Sequence, residues 1–175
     1  MNSNYNVSTA RTIALAAMMT VIALIFSYIE AIIPFNFGIP GIKLGIANLV
    51  ILTALYVLGF RYAFTVNLLR ILIAGLLFNG FFGAVYSLAG GVLSIVTMYL
   101  FKKTGLFSTV GISMAGGVAH NLGQLLIAAL IISNIKMFYY FPVLLFSGMI
   151  SGILIGILTH MILKKLPENI NLKPL

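Results

Sequence analysis

The stretch ARTIALAAMMTVIALIFSYIEAII (residues 10–33) decides what kind of molecule this is. It runs for 24 residues with only Arg11 and Glu30 charged, and no proline or glycine interrupts it. A helix needs roughly 20 predominantly apolar residues to cross the hydrocarbon of a bilayer, so this stretch is long enough to span. It is also too long for the apolar part of a signal peptide. No small-residue cleavage pattern follows it, and the N-terminal residues 1–10 are short and polar, with no signal pattern. The segment is expected to stay in the mature protein.

Breaks at charge, glycine, proline and asparagine divide the rest of the chain in the same way. Apolar segments fall at 10–33, 44–59, 62–78, 82–101, 110–133 and 138–163. The second and third are short for a span, which suits steep or partly buried helices. The expected fold is all-α and integral to the membrane: one domain over 1–175, a bundle of six transmembrane helices. The composition leaves little alternative, because 62% of the 175 residues are hydrophobic and only 7% charged, with a mean hydropathy of +1.17. About a quarter of the residues in a soluble domain are charged. The longest connection, PFNFGIPGIK (residues 34–43), holds two prolines and two glycines and reads as a structured loop.

Lysine and arginine in the short loops set the orientation. With the N-terminus inside, Arg11, Arg61, Lys102, Lys103, Lys164, Lys165 and Lys173 are cytoplasmic, and only Lys43 and Lys136 are outside. Seven against two, alternating loop by loop, puts both termini in the cytoplasm. The net charge of +8 is thus accounted for by topology, and no nucleic-acid partner is expected.

Absences narrow the chemistry. There is no cysteine for a disulfide, a zinc–thiolate site or a thiol nucleophile. There is no aspartate, and the two acids are Glu30 and Glu168, so no carboxylate pair is available for acid–base catalysis or magnesium. No phosphate-binding GK[ST] loop is present. The chain is expected not to be an enzyme and to carry no metal or cofactor; any uphill movement it supports draws on a partner or an ion gradient.

Polar residues at membrane depth are then the informative ones. Arg70 follows Arg61 by nine residues, about 13–14 Å along a helix. Two accounts of it stand: contact with an anionic ligand, or a structural arginine bonded to Asn67 one turn earlier. Glu30, near the outer end of the first span, lies by this count more than about ten ångströms away in depth, too far for a direct pair without unusual tilts. In the fifth segment, His120, Asn121 and Gln124 occur in AHNLGQ (119–124), with His120 and Gln124 on one face beside Gly116 and Ala128. That face reads as a wall of a polar pocket. His120 is chemically suited to carry a proton, and equally to be a hydrogen-bonded histidine of the bundle. Asn48 and Lys43 could close the pocket from outside. Gly148, Gly152 and Gly156, and on the fourth segment Ala84, Ser87, Gly91 and Ser94, are small-residue faces suited to close helix packing. Ala10, Ala14 and Ala17 give the start of the first segment a similar surface, for internal packing or for docking another membrane subunit.

Four ordered motifs carry a family resemblance: PGIKLGIANLV (40–50), NLLRILIAGLLF (67–78), SLAGGVLS (87–94) and AHNLGQLL (119–126). Together they resemble the Gx transporter family, which also goes by the older description heptaprenyl diphosphate synthase component I. The wider architecture is similar to the substrate-binding S components of energy-coupling factor (ECF) vitamin transporters. These have six helices, an AxxxA face opening helix one, and a first outer loop that lids the substrate; Ala10–Ala14 and residues 34–43 occupy those places here. The resemblance implies a substrate-capturing subunit of the bacterial cytoplasmic membrane. Its ligand residues would be Arg70, His120, Asn121, Gln124, Asn48 and Lys43. Its partners would be the lipid bilayer, ECF transmembrane and ATPase subunits docking near Ala10, Ala14 and Ala17, and a small solute, an anion among the candidates. Prenyl diphosphate synthases hold magnesium with aspartate-rich motifs that this chain lacks, so the older name implies at most a non-catalytic role. Relatives linked to flavin- and quinone-based extracellular electron transfer give the alternative: a membrane component of isoprenoid, quinone or flavin machinery.

Overall fold

A computed structural model describes residues 3–33 and 45–166. Within them the chain forms α1 (Ser3–Ile32), α2 (Ile46–Val57), α3 (Phe60–Ala74), α4 (Gly80–Thr104), α5 (Thr109–Ile132) and α6 (Phe141–Lys165). A π-helical turn, Gly75–Asn79, joins α3 to α4, and a 3-10 turn, Ile135–Tyr140, leads into α6. Helix is the form that lets apolar segments satisfy their own backbone groups where no water is available. The ends follow local chemistry. The Ser108 hydroxyl accepts from Gly111 N at 3.2 Å and caps α5, and Pro142 sits in the first turn of α6, where its missing N–H costs nothing.

Residues 60–104 are helical without a gap, and a straight helix of that length would measure about 68 Å. It is not straight. Asn67 Nδ2 donates to Gly91 O at 3.0 Å, although 24 residues of straight helix would separate them by about 36 Å. The chain reverses at Gly80, whose φ of 68° and ψ of 176° suit glycine and strain any other residue. The two arms meet closely: a Cβ on Gly75 would fall 2.5 Å from the Ala84 Cβ.

Four stretches are long and apolar enough to cross a membrane: Thr9–Ile32, Phe60–Thr104, Thr109–Ile132 and Ile135–Lys165. The protein is therefore a multi-pass, all-helical membrane protein. The expectation of six crossings reaches four by length, because α3 and α4 form one continuous helical stretch and α2 is too short to count. Its 12 residues rise only about 18 Å, short of the roughly 30 Å hydrocarbon core, yet eight of the 12 are buried. α2 is an interior helix. Its Ile51, Leu52 and Leu55 form the centre of the core with Ala23, Ile95 and Ile112. Large apolar side chains such as Leu76, Leu130 and Phe146 instead face outward, the distribution expected when the surrounding solvent is lipid.

α5 lies between α4 and α6, and glycine sets both approaches. Gly148, Gly152 and Gly156 of α6 press on the backbone of α5 at Gly117, Met114 and Val110. On the other side, a Cβ on Gly123 would stand 2.7 Å from Ala89 O of α4. The small-residue face of α6 is thus taken up by packing within the chain.

Antiparallel alternation gathers Arg11, Arg61, Lys102, Lys103, Lys164 and Lys165 toward one end of the bundle. Lys102 ties that end together: its Nζ donates to Leu55 O at 3.2 Å and stands 4.7 Å from the centroid of the Tyr56 ring. Among the described residues, the opposite end carries Glu30 and Lys136.

Candidate functional site

Arg70, one turn from the end of α3, is buried. Its Nε and Nη2 donate to Asn67 Oδ1 at 3.2 and 3.0 Å. Nη1 donates to Ser27 Oγ at 3.3 Å, and Nη2 reaches Asn48 Oδ1 at a long 3.5 Å. Two of the acceptors are themselves held in place. Ser27 Oγ gives its proton to Ala23 O at 2.9 Å, which leaves its lone pairs for the guanidinium. Asn67, whose oxygen faces Arg70, anchors its amide nitrogen on Gly91 O. Gly91 has to be small here, since a Cβ would come within 2.7 Å of Ile71 Cδ1 and 3.0 Å of Asn67 Nδ2.

Arg70, Ser27 and Asn48 border a small, partly open polar cavity of about 30 Å³. Ser27 and Glu30 come from α1, Asn48 from α2, Arg70 from α3, Ser87 from α4, and His120 and Gln124 from α5. Asn79, the last residue of the π turn, also lines it, and such turns often occur where function needs a displaced side chain. The Glu30 carboxylate accepts from Ile46 N at 2.7 Å, so it sits at the N-terminus of α2, where the helix dipole favours an anion.

The expected separation of Glu30 and Arg70 is corrected by this geometry. Arg70 bonds Ser27, and Glu30 lies one turn further along α1, about 4.5 Å. The count along one helix treated Arg61 as lying at the membrane edge and left out the reach of the arginine side chain. Arg70 bonds Asn67, as the structural account expects, and it also lines a cavity.

The other expected residues separate. His120 and Gln124 face α4, where the gap that admits them is Gly90: a Cβ there would lie 2.9 Å from Gln124 Cγ and 3.1 Å from His120 Cε1. Gly116, expected to provide that gap, instead receives Met98. Asn121 points elsewhere. Its Nδ2 donates to Leu144 O at 2.7 Å and to Ser147 Oγ at 3.2 Å, so it pins α5 to α6 and does not border the Arg70 cavity. Helical spacing explains the split, because adjacent residues diverge by about 100° around the axis. Lys43 lies outside the described residues. Ala10, Ala14 and Ala17 are exposed on the side of α1.

Four polar cavity residues, Ser27, Glu30, Asn79 and Ser87, are not among the ligands expected from the sequence. Counted depth argues against Glu30, Ser87 belongs to a small-residue packing face, and Ser27 and Asn79 carry no charge to mark them. The spacing of Ser27 and Glu30, three apart on an otherwise apolar helix, marks a shared polar face.

A second, larger space of about 490 Å³ adjoins the first. It lies between the same end of α4 and α5, the 3-10 turn and the start of α6, and Ser87 and Gln124 border both spaces.

The family profile described as heptaprenyl diphosphate synthase component I matches residues 19–162. No curated protein and no solved structure matches the chain. The profile covers all of the cavity and most of the chain, and the chain belongs to the heptaprenyl diphosphate synthase component I family.

Proposed function

We propose that this chain is the substrate-binding membrane subunit of an ECF-type transporter, a single membrane domain that captures a small solute at Arg70. The carrying observation is the convergence of polar side chains from five helices on one small cavity beside a buried guanidinium, in a bundle built mainly of apolar residues. A buried arginine costs several kcal/mol unless partnered, and a purely structural role does not call for a cavity beside it.

In this reading six helices cross the bacterial cytoplasmic membrane, with α2 and α3 shielded from lipid by their neighbours. The basic end is cytoplasmic, in line with the positive-inside rule. The cavity then lies in the outer half, near the first residue of α2, with residues 34–43 and Lys43 over its entrance. Separate subunits hydrolyse ATP and dock at Ala10, Ala14 and Ala17. Co-purification with ECF transmembrane and ATPase subunits, together with solute uptake that fails in Arg70→Ala, is the expected result. Wild-type uptake by a folded Arg70→Ala protein would remove the ligand role.

The second reading is a non-catalytic membrane component of isoprenoid, quinone or flavin-linked electron-transfer machinery. The family description and the roomy second cavity favour it. It predicts that deletion abolishes reduction of an external acceptor while vitamin uptake persists.

A further inference from the structure

We infer that the molecule taken up at this site is a neutral amphiphile, with a small hydrogen-bond-accepting head beside Arg70 and an apolar body in the adjoining chamber. The inference rests on the reading of the Arg70 cavity as a ligand site and names the class of molecule that fits it.

Size restricts the head. The polar cavity measures about 30 Å³, room for about two or three waters at the roughly 10–15 Å³ of such volume that each needs. A carbonyl or hydroxyl oxygen fits there; a diphosphate of eight or more heavy atoms does not. Charge restricts it further. Arg70 and Glu30 border the same cavity, one positive and one negative, and among the described residues no lysine or second arginine borders either space. The guanidinium has five N–H donors, and four bonds from it already run to Asn67, Ser27 and Asn48. A polyanion would enter beside a carboxylate with little donor capacity left to meet it, and buried charge without a partner is expensive.

The chamber supplies the body. α4 and α5 touch where Gly123 meets Ala89 and Gln124 meets Gly90, and beside this contact lies a space of about 490 Å³ bordered by Tyr86, Leu125, Ala128 and Ile132. That volume lies in the usual range for small-molecule sites. Because Ser87 and Gln124 border both spaces, one molecule can place its head in the first and its body in the second.

A matched pair of probes tests this with the full chain in lipid nanodiscs: farnesol and farnesyl diphosphate, identical in the body and different in the head. Equilibrium binding should show saturable farnesol binding, one per chain, and diphosphate binding weaker by about tenfold or more, a difference of about 1.4 kcal/mol. Ala128→Trp, which fills the chamber, should weaken farnesol by a similar factor; Ile132→Trp, at the exposed rim, serves if the first variant fails to fold. Glu30→Gln removes the counter-charge and should shift the preference toward the diphosphate. Wild-type binding of the diphosphate as tight as farnesol, sensitive to the chamber variants, would overturn the neutral class and leave the ligand site standing. Absence of binding by both probes, or binding indifferent to both chamber variants, would overturn the class and the site together.

Discussion

Asn67 holds Arg70 with its side-chain oxygen, at 3.2 Å from Nε and 3.0 Å from Nη2, and holds α4 with its side-chain nitrogen, at 3.0 Å from Gly91 O. One amide thus both orients the charge and fastens the α3–α4 hairpin that carries it. Asn67→Leu keeps the volume and removes both functions. The variant should lose about 3 kcal/mol of stability, as when a buried charge is stripped of a partner. Thermal unfolding in nanodiscs measures this, and Arg70→Leu added to Asn67→Leu should recover part of the loss. An additive double variant would show that the pair is not coupled.

Asn121 offers the contrasting case. Its amide joins α5 to α6 through Leu144 O and Ser147 Oγ, away from the cavity. Asn121→Leu should lower stability by about 1–3 kcal/mol, the cost of leaving buried polar groups unmet, without changing solute affinity. A loss of affinity at unchanged stability would return Asn121 to the binding site.

The contrast between these asparagines shows what was legible in the sequence. Apolar runs gave the helices, since length and hydropathy are properties of a segment by itself. Arg70 was legible for the same reason, a charge at a depth that demands explanation. Glu30 was misjudged because depth counted along one helix says nothing about how neighbouring helices are set, or how far an arginine reaches. Asn121 was grouped with His120 by adjacency, whereas the fold turns one toward α6 and the other toward α4. The interior position of α2 was hinted at by its shortness, but only its neighbours make it buried.

Glycine contacts yield a paired prediction. A Cβ on Gly148 would meet Gly117 O at 2.8 Å and Asn121 Nδ2 at 3.0 Å, and a helix backbone yields less readily than a side-chain tip. Gly148→Ala should therefore cost about 1–3 kcal/mol, the usual range for overpacking. Gly111→Ala meets nothing closer than 3.7 Å, and should be neutral or stabilising by up to about 1 kcal/mol through helix propensity. Thermal unfolding of the two variants side by side checks the packing; equal effects would mean that α5 and α6 do not approach as closely as described.

Topology is testable with unusual economy because the chain contains no cysteine, so each introduced thiol reports alone. The Asn67–Gly91 hydrogen bond requires α3 and α4 to run antiparallel, which puts Arg61 and Lys103 at the same end of the bundle. A single unbroken span over Phe60–Thr104 would put them on opposite sides of the membrane. Arg61→Cys and Lys103→Cys should therefore react with a membrane-impermeant maleimide from the same side, in inside-out vesicles if that end is cytoplasmic. Lys136→Cys should react in right-side-out vesicles. Opposite-sided labelling of Arg61→Cys and Lys103→Cys would break the hairpin reading, and with it the enclosure of Arg70 by α1, α3 and α4. Same-sided labelling of all three would preserve the hairpin and refute a crossing by α5, which separates Lys136 from Lys103 and is long enough to cross; reversed sidedness of the two groups would refute the orientation.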